Sequence, residues 1–253
     1  LSLQRTLEIG SYQTAWAMLH RLRSALVRPG RDRLSGMVEV DETYIGGEEP
    51  GLRGGRARGK KVLTGVAVEV FEPKGIGRCR LAPLQDASAA TLRAFLADHV
   101  APDATVITDG WSGYRGIDKL GYVHEPHSQR AAAARGEDPG ELLPGVHRVA
   151  SLVKRWLLGT HQGAVDAAHL PGYLNEFTFR FNRRRARSRG LVFYRALELA
   201  VGHAPVRYHE LIAHPKPRAE PPIPPTNRGH PPSLDRPHAN RPWRSLPHQH
   251  HSG

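Results

Sequence analysis

The sequence predicts an α/β domain with a mixed sheet in the order β-β-β-α-β followed by helices. A helical, helix-turn-helix-like piece precedes it and a disordered tail follows. Three observations predict this. Runs rich in β-formers at 38–45, 62–71 and 77–84 follow one another as an antiparallel meander would. The apolar period then changes: 86–100 puts Leu92, Phe95, Leu96 and Val100 on one helical face, and 104–114 opens as a short buried strand. From about residue 203 proline and histidine dominate, a composition that cannot bury enough apolar surface to fold. The expected boundaries are 1–30, 36–202 and 203–253.

Residues 1–28 read as two helices broken at Ile9-Gly10-Ser11, with Ser11 as the cap of the second. Trp16, Leu19, Leu22 and Leu26 recur at helical spacing with Arg21, Arg23 and Arg28 between them. That is the outline of a helix-turn-helix, and equally of a plain helical hairpin. A linker at 29–36 leads to the first strand, whose double glycine ends it. The following insert carries Arg53, Arg56, Arg58, Lys60 and Lys61 without any apolar period. It is expected as a basic loop, either contacting DNA phosphates or forming a solvated hairpin tip. Residues 126–145 read as polar loop. Helices are expected at 146–163, closed by Gly159, at 169–184 with Tyr173, Leu174, Phe177 and Phe181 inward, and at 191–202.

Thirty-six Lys and Arg against 24 Asp and Glu leave a formal charge of +12. An excess this large points to a polyanionic partner, most often nucleic acid. No apolar run approaches the roughly 20 residues of a spanning helix, and no secretory signal is present. The single cysteine, Cys79, excludes an internal disulfide and a multi-cysteine zinc site and fits a reducing cytoplasm. No P-loop motif is present. The first residue is Leu1 rather than Met, so the chain is expected to be a fragment without its natural N-terminus.

"VEVDETYIGG" (38–47) places Glu39, Asp41 and Glu42 in a strand that should be buried, where unpaired acid is costly. Asp41 lies late in the first strand and Asp109 at the end of the fourth. Two carboxylates from neighbouring strand ends suit a hard divalent cation. Each acid alone is as readily solvated or salt-bridged; the pair on an apolar sheet of a basic protein favours metal. Glu39 shares the face of Asp41 as a reserve ligand or supporting group, and Glu42 points to the other face, toward arginine or solvent. His147 and Lys154 stand seven apart, two helical turns, with Ser151 between them on the same face. The histidine is either a structural helix residue or a site residue aligned with a phosphate-clamping lysine.

The segments "VEVDETYIGG", "TDGWSGY", "VHRVASLVKRWLLGTHQGAV" and "YLNEFTFRFNRR", in this order, resemble the ISXO-like insertion-sequence transposases of the DDE superfamily. The resemblance runs from residue 1 to about 202. It implies a ribonuclease H-like catalytic domain and DNA transposition, in which insertion-sequence ends are cut and joined to target DNA. It implies Asp41 and Asp109 as the first two catalytic, metal-binding residues. His147 occupies the third position, which holds Glu in some relatives and Asn or His in others, and Lys154 follows seven residues on, to orient a DNA phosphate. The implied cofactors are two divalent ions, Mg²⁺ or Mn²⁺, with Asp41 bridging both, Asp109 on one and His147 on the other. Imidazole takes Mn²⁺ more readily than Mg²⁺. Alternatively His147 acts through water or phosphate, or Glu176 of the next helix replaces it. Backbone contacts are expected from Arg53, Arg56, Arg58, Lys60 and Lys61 of the insert, and from Arg155, Arg180, Arg183, Arg184 and Arg185. The implied partners are double-stranded terminal-repeat and target DNA and a second copy, as a homodimer on DNA, in the nucleoid of a bacterial cytoplasm. Full-length members carry a zinc-ribbon-like segment upstream. A ribonuclease H-like nuclease without strand transfer, and a non-catalytic or decayed DNA-binding remnant, are the alternative functions.

Overall fold

Alternating Val and polar residues make β1 (Met37–Ile45) a two-faced strand, and it becomes the centre of the sheet. A computed structural model describes residues 2–28, 30–46, 61–71, 73, 75–136, 138, 142–161 and 165–212. β2 (Val62–Val70) pairs antiparallel with β1, and β3 (Ile76–Pro83) antiparallel with β2. The helix α3 (Ala89–His99), capped by Ser88, then crosses over, so that β4 (Thr105–Thr108) returns parallel to β1. A crossover of this kind is what a parallel return requires. β5 (Val123–Pro126) adds parallel to β4, giving the order β3-β2-β1-β4-β5. The mixed α/β sheet expected from the sequence is present, with one strand more than the pattern foretold.

Each face of the sheet has its own core. Val38 and Val40 pack with Leu92, Phe95 and Leu96 of α3, and Gly65 lets the Phe95 ring lie against the sheet, since a Cβ there would stand 3.0 Å from it. On the other face Val66, Val68 and Leu81 meet Val146, Val149 and Val153 of α5 (Pro144–His161) and Leu174 and Phe177 of α6 (Leu170–Asn182). Each such fully buried side chain contributes about 1.5–3 kcal/mol.

The sheet edge at β3 is closed by side chains. Asn182, at the end of α6, accepts from the Cys79 N–H at 2.7 Å and donates to the Cys79 carbonyl at 3.1 Å. Arg184 donates to the carbonyls of Ile76 and Gly77. An amide and a guanidinium thereby stand in for the missing neighbour strand.

Several boundaries differ from expectation. The stretch read as loop contains α4 (Gln129–Ala134), and α5 starts at Pro144 and continues through Gly159 to His161. α7 (Arg189–Val201) forms with no buried residue. The tail expected from 203 does not begin there: α8 (Tyr208–Ile212) follows, held by Arg21 on the Val206 carbonyl and His169 on the Leu211 carbonyl. Residues 213–253 lie outside the described residues. α1 (Ser2–Thr6) and α2 (Tyr12–Ala25) form as read, with Ser11 accepting from the Thr14 N–H. The buried face of α2 is not its leucine stripe: Ala15, Ala17, His20, Arg23 and Ala25 are buried while Leu22 is exposed. The cause is a polar junction with α6, in which Arg23 reaches Glu176 at 2.8 Å.

Candidate active site

β1 and β4 are in register through Glu39 and Ile107. Two residues further along each parallel strand stand Asp41 and Asp109. Their alternation with Val40 turns Asp41 toward α5 and Glu42 toward the α3 face. Past β4 the chain bends at Gly110, whose φ of +80° suits glycine. The Asp109 carboxylate accepts from the Trp111 N–H at 2.9 Å, an Asx-type turn that fixes the acid at the strand end.

α5 brings the other half. His147 Nε2 lies 3.7 Å from Asp41 Oδ2, and Lys154 Nζ donates to Thr43 Oγ1 at 2.6 Å. Asp41 Oδ1 accepts from the Glu42 N–H. Burial pushes the Asp41 carboxyl up to about 6; the Asp109 charge adds to this, while the Glu42 N–H, His147 and Lys154 oppose it. Burial likewise pushes Glu42 up to about 7, opposed by the Tyr114 hydroxyl and reinforced by Asp41 and Asp109. Lys154 is lowered by burial and by neighbouring Lys61.

Of the two roles expected for Glu39, the structure shows the supporting one. Its buried carboxylate accepts from the Val146 N–H at 2.8 Å and from the Gly145 N–H, at the start of α5. Those amides have no partner within the helix, so the acid anchors α5 to β1. Glu42 is half-buried and meets no arginine among the described residues; Tyr114 donates to it. Glu176 is taken up by Arg23 and Arg180 and does not replace His147. Arg184 closes the β3 edge rather than facing outward, and Arg183 lies 3.9 Å over the Phe179 ring. Arg155 is exposed on α5, and Lys61 stands at the start of β2. Arg53, Arg56, Arg58 and Lys60 lie outside the described residues. Sequence reasoning missed Thr43, Tyr114 and the role of Gly145; the Pro144-Gly145 pair, with proline at a helix start, was the available signal for the last.

Among the described residues no three of His, Cys, Asp and Glu form a group that encloses a metal ion. The donor types nevertheless suit a hard divalent cation: the carboxylates of Asp41 and Asp109 stand at neighbouring strand ends, burial and the Asp109 charge raise Asp41, and an imidazole nitrogen lies 3.7 Å from it.

The model of the ISXO2-like transposase domain matches residues 33–182, from just before β1 to the end of α6. The chain belongs to this family. The matched residues carry the whole mixed five-stranded sheet, in the order β3-β2-β1-β4-β5. A comparison with curated protein sequences finds no match. Among solved structures, the Mos1 transposase paired-end complex with left transposon end is 15% identical over 66% of this chain and 59% of that one, with a TM-score of 0.26. A pre-cleavage Mos1 transpososome is 13% identical over 79% and 69%, with a TM-score of 0.24. The chain thus spans less than two thirds of the first Mos1 chain, and at these scores neither likeness adds to what the strand order and the family match say. No helix among the described residues is long and apolar enough to cross a membrane.

Proposed function

We propose that this ISXO2-like transposase domain cuts the phosphodiester at insertion-sequence ends and joins the freed end to target DNA. The observation that carries the reading is the convergence of Asp41 and Asp109 from adjacent parallel strands on His147 and Lys154 of one helix face.

Asp41, Asp109 and His147 would hold a divalent cation, Mg²⁺ or Mn²⁺, which supplies charge neutralisation at the phosphoryl oxygens and activation of the attacking hydroxyl. The chain's own residues do the rest. Lys154, 2.6 Å from Thr43 and beside Asp41, presents an ammonium to a phosphate oxygen. Glu39 and Gly145 fix α5 so that His147 and Lys154 keep their distance from β1. Tyr114 secures β1 from its other face through Glu42. Lys61 and Arg155 extend the positive surface beside the site, and backbone contact by Arg53, Arg56, Arg58 and Lys60 belongs to the same proposal. Strand transfer joins two DNAs, so the working form is proposed as a dimer on double-stranded DNA in the nucleoid.

The test is a strand-transfer assay with paired terminal-repeat ends and Mg²⁺ or Mn²⁺. Joined product from the wild type, abolished by Asp41→Ala and by Asp109→Ala, is expected. Cutting without joining would make the chain a nuclease, and no cleavage at all would leave a DNA-binding remnant.

A further inference from the structure

Outside the β3 edge, away from Asp41 and its partners, lies a cleft of about 380 Å³. Six arginines line it: Arg28, Arg31, Arg78, Arg80, Arg183 and Arg195, with Asp32 as the one acid. Half of them are neutralised. Arg28 pairs with Asp32 at 3.5 Å, Arg78 with Glu69, and Arg195 with Glu198 at 2.7 Å.

Among the described residues the other three have no carboxylate. Arg80 donates only to carbonyls, of Asp32 at 2.7 Å and of Cys79 at 3.0 Å. Arg183 donates to the Phe179 carbonyl at 3.3 Å and stacks on that ring. Arg31, half-buried, makes no ion pair or hydrogen bond among the described residues. Arg31 and Arg78 repel Arg80, Arg195 repels Arg183, and a carbonyl offers no compensating charge. Burial lowers Arg31 and Arg183, and burial with the neighbouring Arg31 and Arg78 lowers Arg80 to about 10.

The recess is separate from the site described above. In register, Arg80 stands opposite Ala67, which stands opposite Val40, so it projects from the sheet face opposite to Asp41. β3 is two strands from β1, about 10 Å at the usual strand spacing. A planar, permanently charged fork matches the tetrahedral oxyanion of phosphate, and several forks together match its multiple acceptors.

From these placements we infer that the β3-edge cleft is a phosphate-binding site that takes no part in the chemistry. The phosphate belongs either to a DNA backbone or to a free phosphate compound. The DNA alternative rests on the transposase reading and makes the cleft an anchor for a stretch of duplex not being cut.

The test uses the full chain and the Arg31→Gln/Arg183→Gln variant. Arg31→Gln alone is measured beside it: among the described residues Arg31 holds no other group, so its effect cannot come from the Phe179 contacts that Arg183 makes. Binding of an unrelated 30-bp duplex is followed by anisotropy across a salt series. Loss of two phosphate contacts is expected to flatten the slope of log K against log salt by about 1.8. In parallel, the thermal midpoint is measured with millimolar inorganic phosphate at constant ionic strength; the wild type is expected to gain and the double variant not. A flattened slope assigns the cleft to DNA backbone. A lost phosphate response with an unchanged slope assigns it to a free phosphate compound. If the double variant, folded by circular dichroism, matches the wild type in both, the inference is overturned. Asp41→Asn retains the phosphate response, so failure of the catalytic reading and failure of this one are distinguishable.

Discussion

Asp41 is held between opposing forces, and they set a pH dependence with a definite sign. Its carboxyl rises from an ordinary 3.8 to about 6, by burial first and then by Asp109. Glu42 rises from 4.5 to about 7. Groups with raised acid pKa values bind more protons folded than unfolded, so stability falls as pH rises through these windows, 3.8 to 6 and 4.5 to 7. Asp41→Asn removes one charge from the cluster while keeping its shape. In metal-free protein at pH 8 it is expected to stabilise by up to about 3 kcal/mol, at 1.36 kcal/mol for each pKa unit, while abolishing cleavage. The gain should shrink as pH falls from 6 and vanish about one unit below the ordinary 3.8, at roughly pH 3, where the wild-type carboxyl is largely protonated in both states. Thermal melts at the two pH values check this; an equal or lower midpoint for the variant at pH 8 would refute it. At this scale the sequence was informative about spacing and silent about destinations. Asp41 and Asp109 were legible as acids at the ends of β-rich runs, and His147 and Lys154 as neighbours two turns apart. That Glu42 meets Tyr114, and Arg184 two carbonyls, depends on tertiary neighbours. In a chain with 36 cationic side chains nothing local marks the ones that face inward.

The elements depend on one close approach and one closed edge. A Cβ at Gly145 would stand 2.9 Å from both Glu39 Oε2 and Val70 Cγ1. Alanine is otherwise favoured over glycine in a helix by about 1 kcal/mol. Gly145→Ala is nevertheless expected to destabilise by about 1–3 kcal/mol, because either Glu39 leaves the helix start or α5 moves off β1. His147 lies two residues on, so cleavage should fall further than DNA affinity. Denaturant midpoints and paired cleavage and binding assays decide; a more stable, fully active variant would remove the positioning role. At the edge, Asn182→Ala strips both partners from the Cys79 backbone, a loss of about 1–3 kcal/mol. It also leaves an unpaired strand edge, so self-association at high concentration should rise, readable by light scattering. Sequence patterning found the elements with a strong period over eight or more residues, such as β1, β2, α3, α5 and α6, and also the short β4, whose run of β-formers is buried. β5 was not legible: four residues reading Val-His-Glu-Pro, with Val123 exposed, become a strand only by pairing with β4. α4 was missed because an alanine run has helix propensity but no apolar period to show it.

Across the whole molecule, the helices that precede the matched region meet α6 at a junction of Trp16, His20, His169 and Tyr173 rings in which Arg23 is the buried charge. Arg23 donates to Glu176 at 2.8 Å and to His20 at 3.2 Å and lies 4.2 Å over the Tyr173 ring. His20 is itself lowered to about 4, by burial first and then by Arg23, which fits its role as a neutral acceptor. A histidine lowered on folding binds fewer protons folded than unfolded, so this junction weakens as pH falls from 6.5 toward 4. Removing one member of a buried pair costs about 3–5 kcal/mol when the other is left without compensation. Glu176 keeps partial solvent access and retains Arg180 at 3.3 Å, so Arg23→Ala is expected at or below the lower end of that range. The loss should be local. Amides of α2 should exchange with solvent faster in the variant at pH 7, while those of β1 and β2, on the far side of α6, keep their protection. If α2 amides stay protected, Arg23 is not the clasp and the apolar contacts of Ala15 and Ala17 suffice. If the sheet loses protection equally, α1 and α2 belong to one cooperative unit with the transposase-family domain, and neither helix acts as an independent DNA-binding arm.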